Sequence, residues 1–214
     1  MWLRKNALKL AIGAALIAIS IAMVADWWSS NTRALNALAK NVYWEAVVAR
    51  EPELSARMVA HVTSVRAQTK RKVWGGADIH AVVYARKSKA SGAIVCQFSW
   101  TCLDAAKREP AIPGFWNLSL RIAKEELKGK FVPPAHLVGA TNYLNPDAPV
   151  RGIRKNICWF KTSLVELGKA ENESQHVFYR EPKNERERNA LPKKKDVEEC
   201  GPEKPKKKTT TTAR

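Results

Sequence analysis

The 214-residue sequence predicts a mainly α fold of the α+β kind. One domain is expected over residues 29–182 with a small β or irregular part, behind an N-terminal transmembrane helix (1–28) and ahead of a disordered tail (183–214). Three observations carry this prediction. An uncharged run from Leu10 to Ala25 follows the basic residues Arg4, Lys5 and Lys9. Apolar residues then recur at helical spacing in several segments, whereas His176-Val177-Phe178-Tyr179 alternates as a strand does. From Lys183 the chain is Lys, Glu, Pro and Thr, with too few apolar residues to offset the entropy of ordering.

The uncharged run covers about 24 Å as a helix, short of a full hydrocarbon core. If Lys9 snorkels to the headgroups, residues 7–28 span the inner membrane with Trp27 and Trp28 at the far interface. The basic N-terminus stays inside, which places the C-terminal domain in the periplasm. A cleaved signal peptide is the other reading: Ser20-Ile21-Ala22 offers a passable cleavage site and Met23-Val24-Ala25 a poor one. Length and the tryptophan pair favour the anchor, although its Ala-rich composition, with Gly13 and Ser20, makes its hold on the bilayer weak.

Ser29-Ser30-Asn31-Thr32 supplies N-cap candidates for a helix marked by Leu35, Leu38, Ala39, Val42, Ala46 and Ala49. It should end before Pro52, which can open the next helix. That second helix carries the stripe Leu54, Met58, His61, Val62 and Val65, in which His61 reads as a satisfied core histidine. After a basic link with Gly75-Gly76, Asp78 is placed to cap a short helix through Ile79, Val82 and Val83. Cys96-Gln97-Phe98-Ser99-Trp100-Thr101-Cys102 has no helical phase and reads as a loop. Trp116, Leu120, Ala123 and Leu127 mark a further helix stopped by Gly129. Pro133-Pro134 breaks the chain, and short turns and strands are expected around Gly139–Pro146.

The net charge of +17 calls for anionic surroundings: nucleic acid, phospholipid or an acidic envelope. The N-terminal 25 residues hold +3, the tail holds eleven basic against six acidic residues, and +9 is spread through the middle. No basic run inside the middle resembles a recognition helix, so no nucleic acid is expected as partner. The basic tail adds affinity for anionic lipid or wall polymer. Beyond the membrane the four cysteines can form disulfides in three pairings. Cys96 with Cys102 closes a short loop and is the first expectation, leaving Cys158 and Cys200. No CxxC or HxxxH spacing suggests zinc, so neither metal nor cofactor is expected. A nucleophile made of Cys158 with His136 or His176 is conceivable, but no motif places them together, and GxSxG, P-loop and GxGxxG are absent.

Val42-Tyr43-Trp44-Glu45-Ala46 sets a carboxylate on an apolar helix face, with Val42 and Leu38 three and seven positions earlier. Desolvation there disfavours the charged form, which suits a general acid. An ion pair with one of the arginines, or a place at the helix edge, explains the same pattern.

Five segments in order resemble the SleB/CwlJ-like cell wall hydrolases, the spore cortex-lytic enzyme family. They are Tyr43-Trp44-Glu45-Ala46, Glu51-Pro52, Cys96-Gln97-Phe98-Ser99-Trp100, Gly139-Ala140-Thr141-Asn142-Tyr143 and His176-Val177-Phe178-Tyr179. The resemblance implies a lysozyme-like, lytic-transglycosylase-like domain that cleaves peptidoglycan glycan strands. Glu45 falls on the family's catalytic glutamate and would serve as single acid and base, giving a 1,6-anhydro product. Gln97, Phe98, Thr141, Tyr143, His176 and Tyr179 match positions that line the glycan groove or hold its shape; for Phe98 and Phe178 a place in the core is the simpler reading.

A hydrolytic route needs a second carboxylate, and Glu51 is the candidate. The family spaces its two glutamates four apart, whereas here they are six apart, about 240° round a continuous helix. Val65-Arg66 also stands where the family has Asn-Arg. A weak anchor followed directly by such a domain resembles a signal-arrest-release phage endolysin; a bacterial enzyme of wall remodelling would look similar. The rival class is a non-catalytic, membrane-tethered basic protein that binds the wall.

Overall fold

The computed structural model describes residues 2–88, 94–103, 108–148 and 153–201, and leaves out the side chains of residues 2–16, 18, 22, 26, 27, 88 and 94. Among the described residues the chain is mostly helical with two small antiparallel sheets, and it divides into two compact units, Met1–Val132 and Pro133–Arg214. The boundary between these units lies at Pro133-Pro134, inside the domain expected over 29–182. Two consecutive prolines remove two backbone donors and bar helical geometry before them, so no element crosses this point.

The first unit is built on α1, Trp2–Val42. The expected start at Ser29–Thr32 does not occur, because the helix runs straight through those residues. Thr32 donates its hydroxyl to the Trp28 carbonyl at 2.9 Å, an internal back-bond instead of a cap. Leu38 and Val42 are fully buried. The helix then widens into a π turn, Tyr43–Val47, where Val48 N–H bonds the Tyr43 carbonyl at 3.0 Å and Glu51 N–H the Ala46 carbonyl at 3.1 Å. Arg50 is left-handed at φ 58°, which ends the helical path, and Pro52 opens α2, Glu53–Gln68. The 240° offset of a continuous helix between Glu45 and Glu51 therefore does not apply.

Helix α2 buries Met58, Val59 and Val62. After a 3-10 turn at Lys72–Trp74, the Asp78 carboxylate accepts the Ala81 N–H at 2.7 Å and caps α3, Ile79–Val83. Gly75 is required here: at φ 104° a Cβ would lie 2.5 Å from the Ala81 carbonyl oxygen. Strands β1, Arg86–Ser88, and β2, Ile94–Cys96, form a two-stranded ladder with Arg86 opposite Cys96. Helix α4, Pro113–Leu127, starts on a proline and is followed by left-handed Gly129. It packs on α1 and α2, where Ile122 and Ala123 are buried. Arg57 of α2 ties the pair by bonding Glu53 at 2.7 Å and Glu125 at 2.6 Å.

The second unit holds a three-stranded sheet in the order β3 (Asn142–Leu144), β5 (Val177–Arg180), β4 (Val165–Lys169). Central β5 is buried along Val177, Phe178 and Tyr179, so its side chains are covered on both faces. Leu164, Val177 and Tyr179 form a core with Leu144 and Phe160, the last from α5, Ile153–Ser163.

The expected disordered tail is corrected over 183–201. Residues Glu185–Ala190 form α6, two 3-10 turns follow, and a Cys158–Cys200 disulfide ties the segment to α5. Local bonds explain it: Asn184 caps α6 by accepting the Glu187 N–H at 2.9 Å, while Glu187 takes the Lys183 N–H at 2.7 Å and the Arg180 guanidinium at 2.7 and 2.9 Å. The basic run Lys206-Lys207-Lys208 lies outside the described residues. So do most side chains of the expected anchor. Among the described residues no helix is long and apolar enough to cross a membrane. Within α1, however, Ile17, Ile19, Ile21, Met23, Val24 and Trp28 are each more than half exposed.

Candidate active site

Glu45 lies inside the π turn, a widened geometry that recurs at functional sites because it shifts the following residues round the helix axis. Its neighbours Tyr43, Ala46 and Val47 are buried, while Trp44 and Glu45 are half-buried. Glu45 thus sits at the rim of the apolar face, carried by residues locked into the core. The Tyr43 ring packs edge-on against Trp44 at 5.0 Å and Trp116 at 6.4 Å. Its hydroxyl accepts the Ile112 N–H at 3.4 Å, just ahead of α4.

The second component is the loop from Cys96 to Cys102, which a disulfide closes. Ser99 donates its hydroxyl to Glu45 Oε1 at 3.2 Å. The residues on either side of Ser99 are buried: Phe98 under the Arg66 guanidinium, 5.3 Å from the ring centre, and Trp100. The Trp100 indole N–H bonds Asn41 Oδ1 at 2.8 Å, and the Asn41 amide donates to Thr63 Oγ1 at 3.1 Å. Thr63 in turn bonds the Val59 carbonyl at 2.9 Å, so the chain of bonds ends in α2. Sequence reasoning missed this network. Its signal was Asn41, an amide in the buried phase of α1 one turn before Glu45, which demands a buried partner.

The other expected residues sort by place. Gln97 is turned inward, its amide donating to the Val73 carbonyl at 3.0 Å and accepting from Arg66 at 3.5 Å. Phe98 is only 2% exposed, a core position and not a surface for ligand. Glu51 is buried at 8% exposure. The remaining four belong to the second unit. Thr141 accepts the Asn142 amide at 2.9 Å and its N–H bonds the Tyr179 carbonyl at 2.9 Å. The Tyr143 ring meets His176 edge-on at 4.9 Å, and both lie near Phe178. Tyr179 is buried, and burial together with the adjacent Glu166 carboxylate, to which it is hydrogen-bonded, pushes its hydroxyl well above the usual tyrosine range.

Phe98, His176 and Tyr179, all buried, can hold the shape of a site but offer little surface to a ligand. Half-buried Thr141 and Tyr143 can also touch one. Cys158 is bound in a disulfide, which removes it as a nucleophile, and His136 instead bonds the Lys169 carbonyl at 3.1 Å. His61 bonds Glu126 at 3.2 Å. Among the described residues no three His, Cys, Asp or Glu side chains converge as a metal site would require. No protein-family model, curated protein or solved structure matches the chain.

Proposed function

We propose that this chain is an exported, membrane-tethered enzyme that cleaves the glycan strands of peptidoglycan, with Glu45 as its acid and base. The observation that carries the reading is the Glu45–Ser99 contact: a half-buried carboxylate on a π turn, oriented by a hydroxyl from a disulfide-closed loop. Glu45 in its acid form donates its proton to the glycosidic oxygen as the C–O bond breaks. The resulting carboxylate accepts the proton of the muramic acid 6-hydroxyl as that oxygen closes on the anomeric carbon. The glutamate is regenerated protonated, and the product is a 1,6-anhydro sugar. A hydrolytic route would instead need a second carboxylate about 5 Å or 6.5–9.5 Å away. Buried Glu51 would have to supply it.

Two disulfides support an oxidising compartment, in accord with a domain on the periplasmic side. The apolar side chains exposed on α1 between residues 17 and 28 support a tether there. The test uses the full chain purified in detergent, since a fragment ending at residue 182 would cut the Cys158–Cys200 bridge. Wild type is expected to clear purified peptidoglycan and release anhydro-muropeptides, while Glu45→Gln retains wall binding and loses clearing. Reducing-end products would replace the transglycosylase by a hydrolase using Glu51. Binding without clearing by wild type would leave a wall-binding protein.

A further inference from the structure

Apart from Ser99, every side chain of the Cys96–Cys102 loop is buried, joined within the loop or bonded to the fold away from Glu45. Cys96 and Cys102 are joined, Gln97 bonds Val73 and Arg66, Phe98 and Trp100 are buried, and Thr101 donates its hydroxyl to the Phe98 carbonyl at 2.8 Å. The loop is also held from outside, where Arg86 donates to the Thr101 carbonyl at 2.9 Å and Gln97 N–H bonds the Ala85 carbonyl at 3.1 Å. Ser99 is the exception, exposed between two buried aromatics, and its hydroxyl is directed at Glu45. Trp100 bonds Asn41, one helical turn before Glu45, while Ser99 bonds Glu45 itself. Two adjacent loop residues therefore tie to two points four residues apart on one helical path. The backbone that carries the Ser99 hydroxyl is thus held beside its acceptor.

We propose that Ser99 is a positioning residue for Glu45, fixing which carboxyl oxygen moves the proton; this rests on the role assigned to Glu45 above. A neutral carboxyl has one carbonyl oxygen and one hydroxyl, and a donor is best met by the carbonyl oxygen. With Ser99 donating to Oε1, the transferable proton sits on Oε2. After transfer the same bond stabilises the carboxylate, and Oε2 is the oxygen that takes a proton back. Ser99 thus serves both half-reactions without itself gaining or losing a proton. The buried Trp100–Asn41–Thr63 chain and the disulfide hold the loop segment that carries the donor.

The experiment compares full-length wild type, Ser99→Ala, Ser99→Thr, Glu45→Gln and the double variant on purified peptidoglycan, with wall binding and melting temperature measured on each. Ser99→Ala is expected to lower kcat by about ten- to a hundred-fold, the worth of a hydrogen bond to a charged group, with KM, wall binding and melting temperature unchanged. Ser99→Thr restores most of the rate because it keeps the hydroxyl. Adding Ser99→Ala to Glu45→Gln costs nothing further, since the two act as one unit. Full activity in Ser99→Ala, or a loss that threonine does not rescue and that follows a fall in melting temperature, overturns the inference while leaving Glu45 in place. Clearing by Glu45→Gln, or none by wild type, overturns the proposed function and this inference with it.

Discussion

Trp100 is the side chain through which the disulfide-closed loop is joined to the helical core. It combines a buried ring, edge-on to Tyr84 at 5.7 Å, with a single donor spent on the buried Asn41 carbonyl oxygen. Trp100→Phe keeps most of the apolar contact and removes the donor, leaving Asn41 Oδ1 buried with a lost partner. An unsatisfied buried acceptor costs about 1–3 kcal/mol, so the variant should unfold at lower denaturant by that amount with an unchanged m-value. An unchanged midpoint would mean that the bond contributes nothing net. Half of this arrangement could be read from the residues. Glu45, Val42 and Leu38 stood out by phase, and Leu38 and Val42 are indeed fully buried. The partner of Asn41 could not, because it lies 59 residues away and only the tertiary fold brings Trp100 to it.

Elements were legible where one face is apolar and the ends carry caps. Helix α2 after Pro52, the Asp78-capped α3, α4 with Gly129 and the strand at Val177–Arg180 all follow from such local signals. The π turn was not legible, since 3.6-residue spacing holds up to Val42 and nothing in the side chains marks the extra residue. Helix α6 was obscured by the composition around it, although Asn184 and Glu187 carry the spacing of a capping box. Arg180 and the Lys183 N–H hold the Glu187 carboxyl at about 2, against an ordinary value of 4.5. The group is thus more acidic when folded than unfolded. Its contribution to stability is complete above about pH 4.5 and is lost as the pH falls toward 2. A carboxyl-carbon NMR titration should give Glu187 a midpoint near 2, returning to the ordinary range in Arg180→Gln. An ordinary midpoint in wild type would show that the pair does not form in solution.

At the scale of the whole molecule, the charge of +17 and the apolar N-terminal helix predict the same thing, attachment to a membrane, by different physics. Attraction between a basic protein and anionic lipid is screened by salt, with a Debye length of about 10 Å at 0.1 M falling to about 3 Å at 1 M. Burial of Ile17, Ile21, Val24 and Trp28, exposed along one side of α1 at spacings of four, three and four, is indifferent to salt and to lipid charge. The two contributions separate in a flotation experiment with vesicles of neutral phosphatidylcholine in 1 M salt. The full chain should float with the lipid, and a variant lacking residues 1–28 should stay at the bottom. The same variant should float with anionic vesicles at low salt, where the remaining positive charge suffices. If the full chain stays down in neutral lipid, the N-terminal helix is no tether and binding is electrostatic alone. If the shortened variant floats there as well, the tether lies elsewhere in the chain. Because α1 runs without a break into the π turn that holds Glu45, a tether in residues 7–28 would carry the proposed acid on the same rigid element that enters the bilayer.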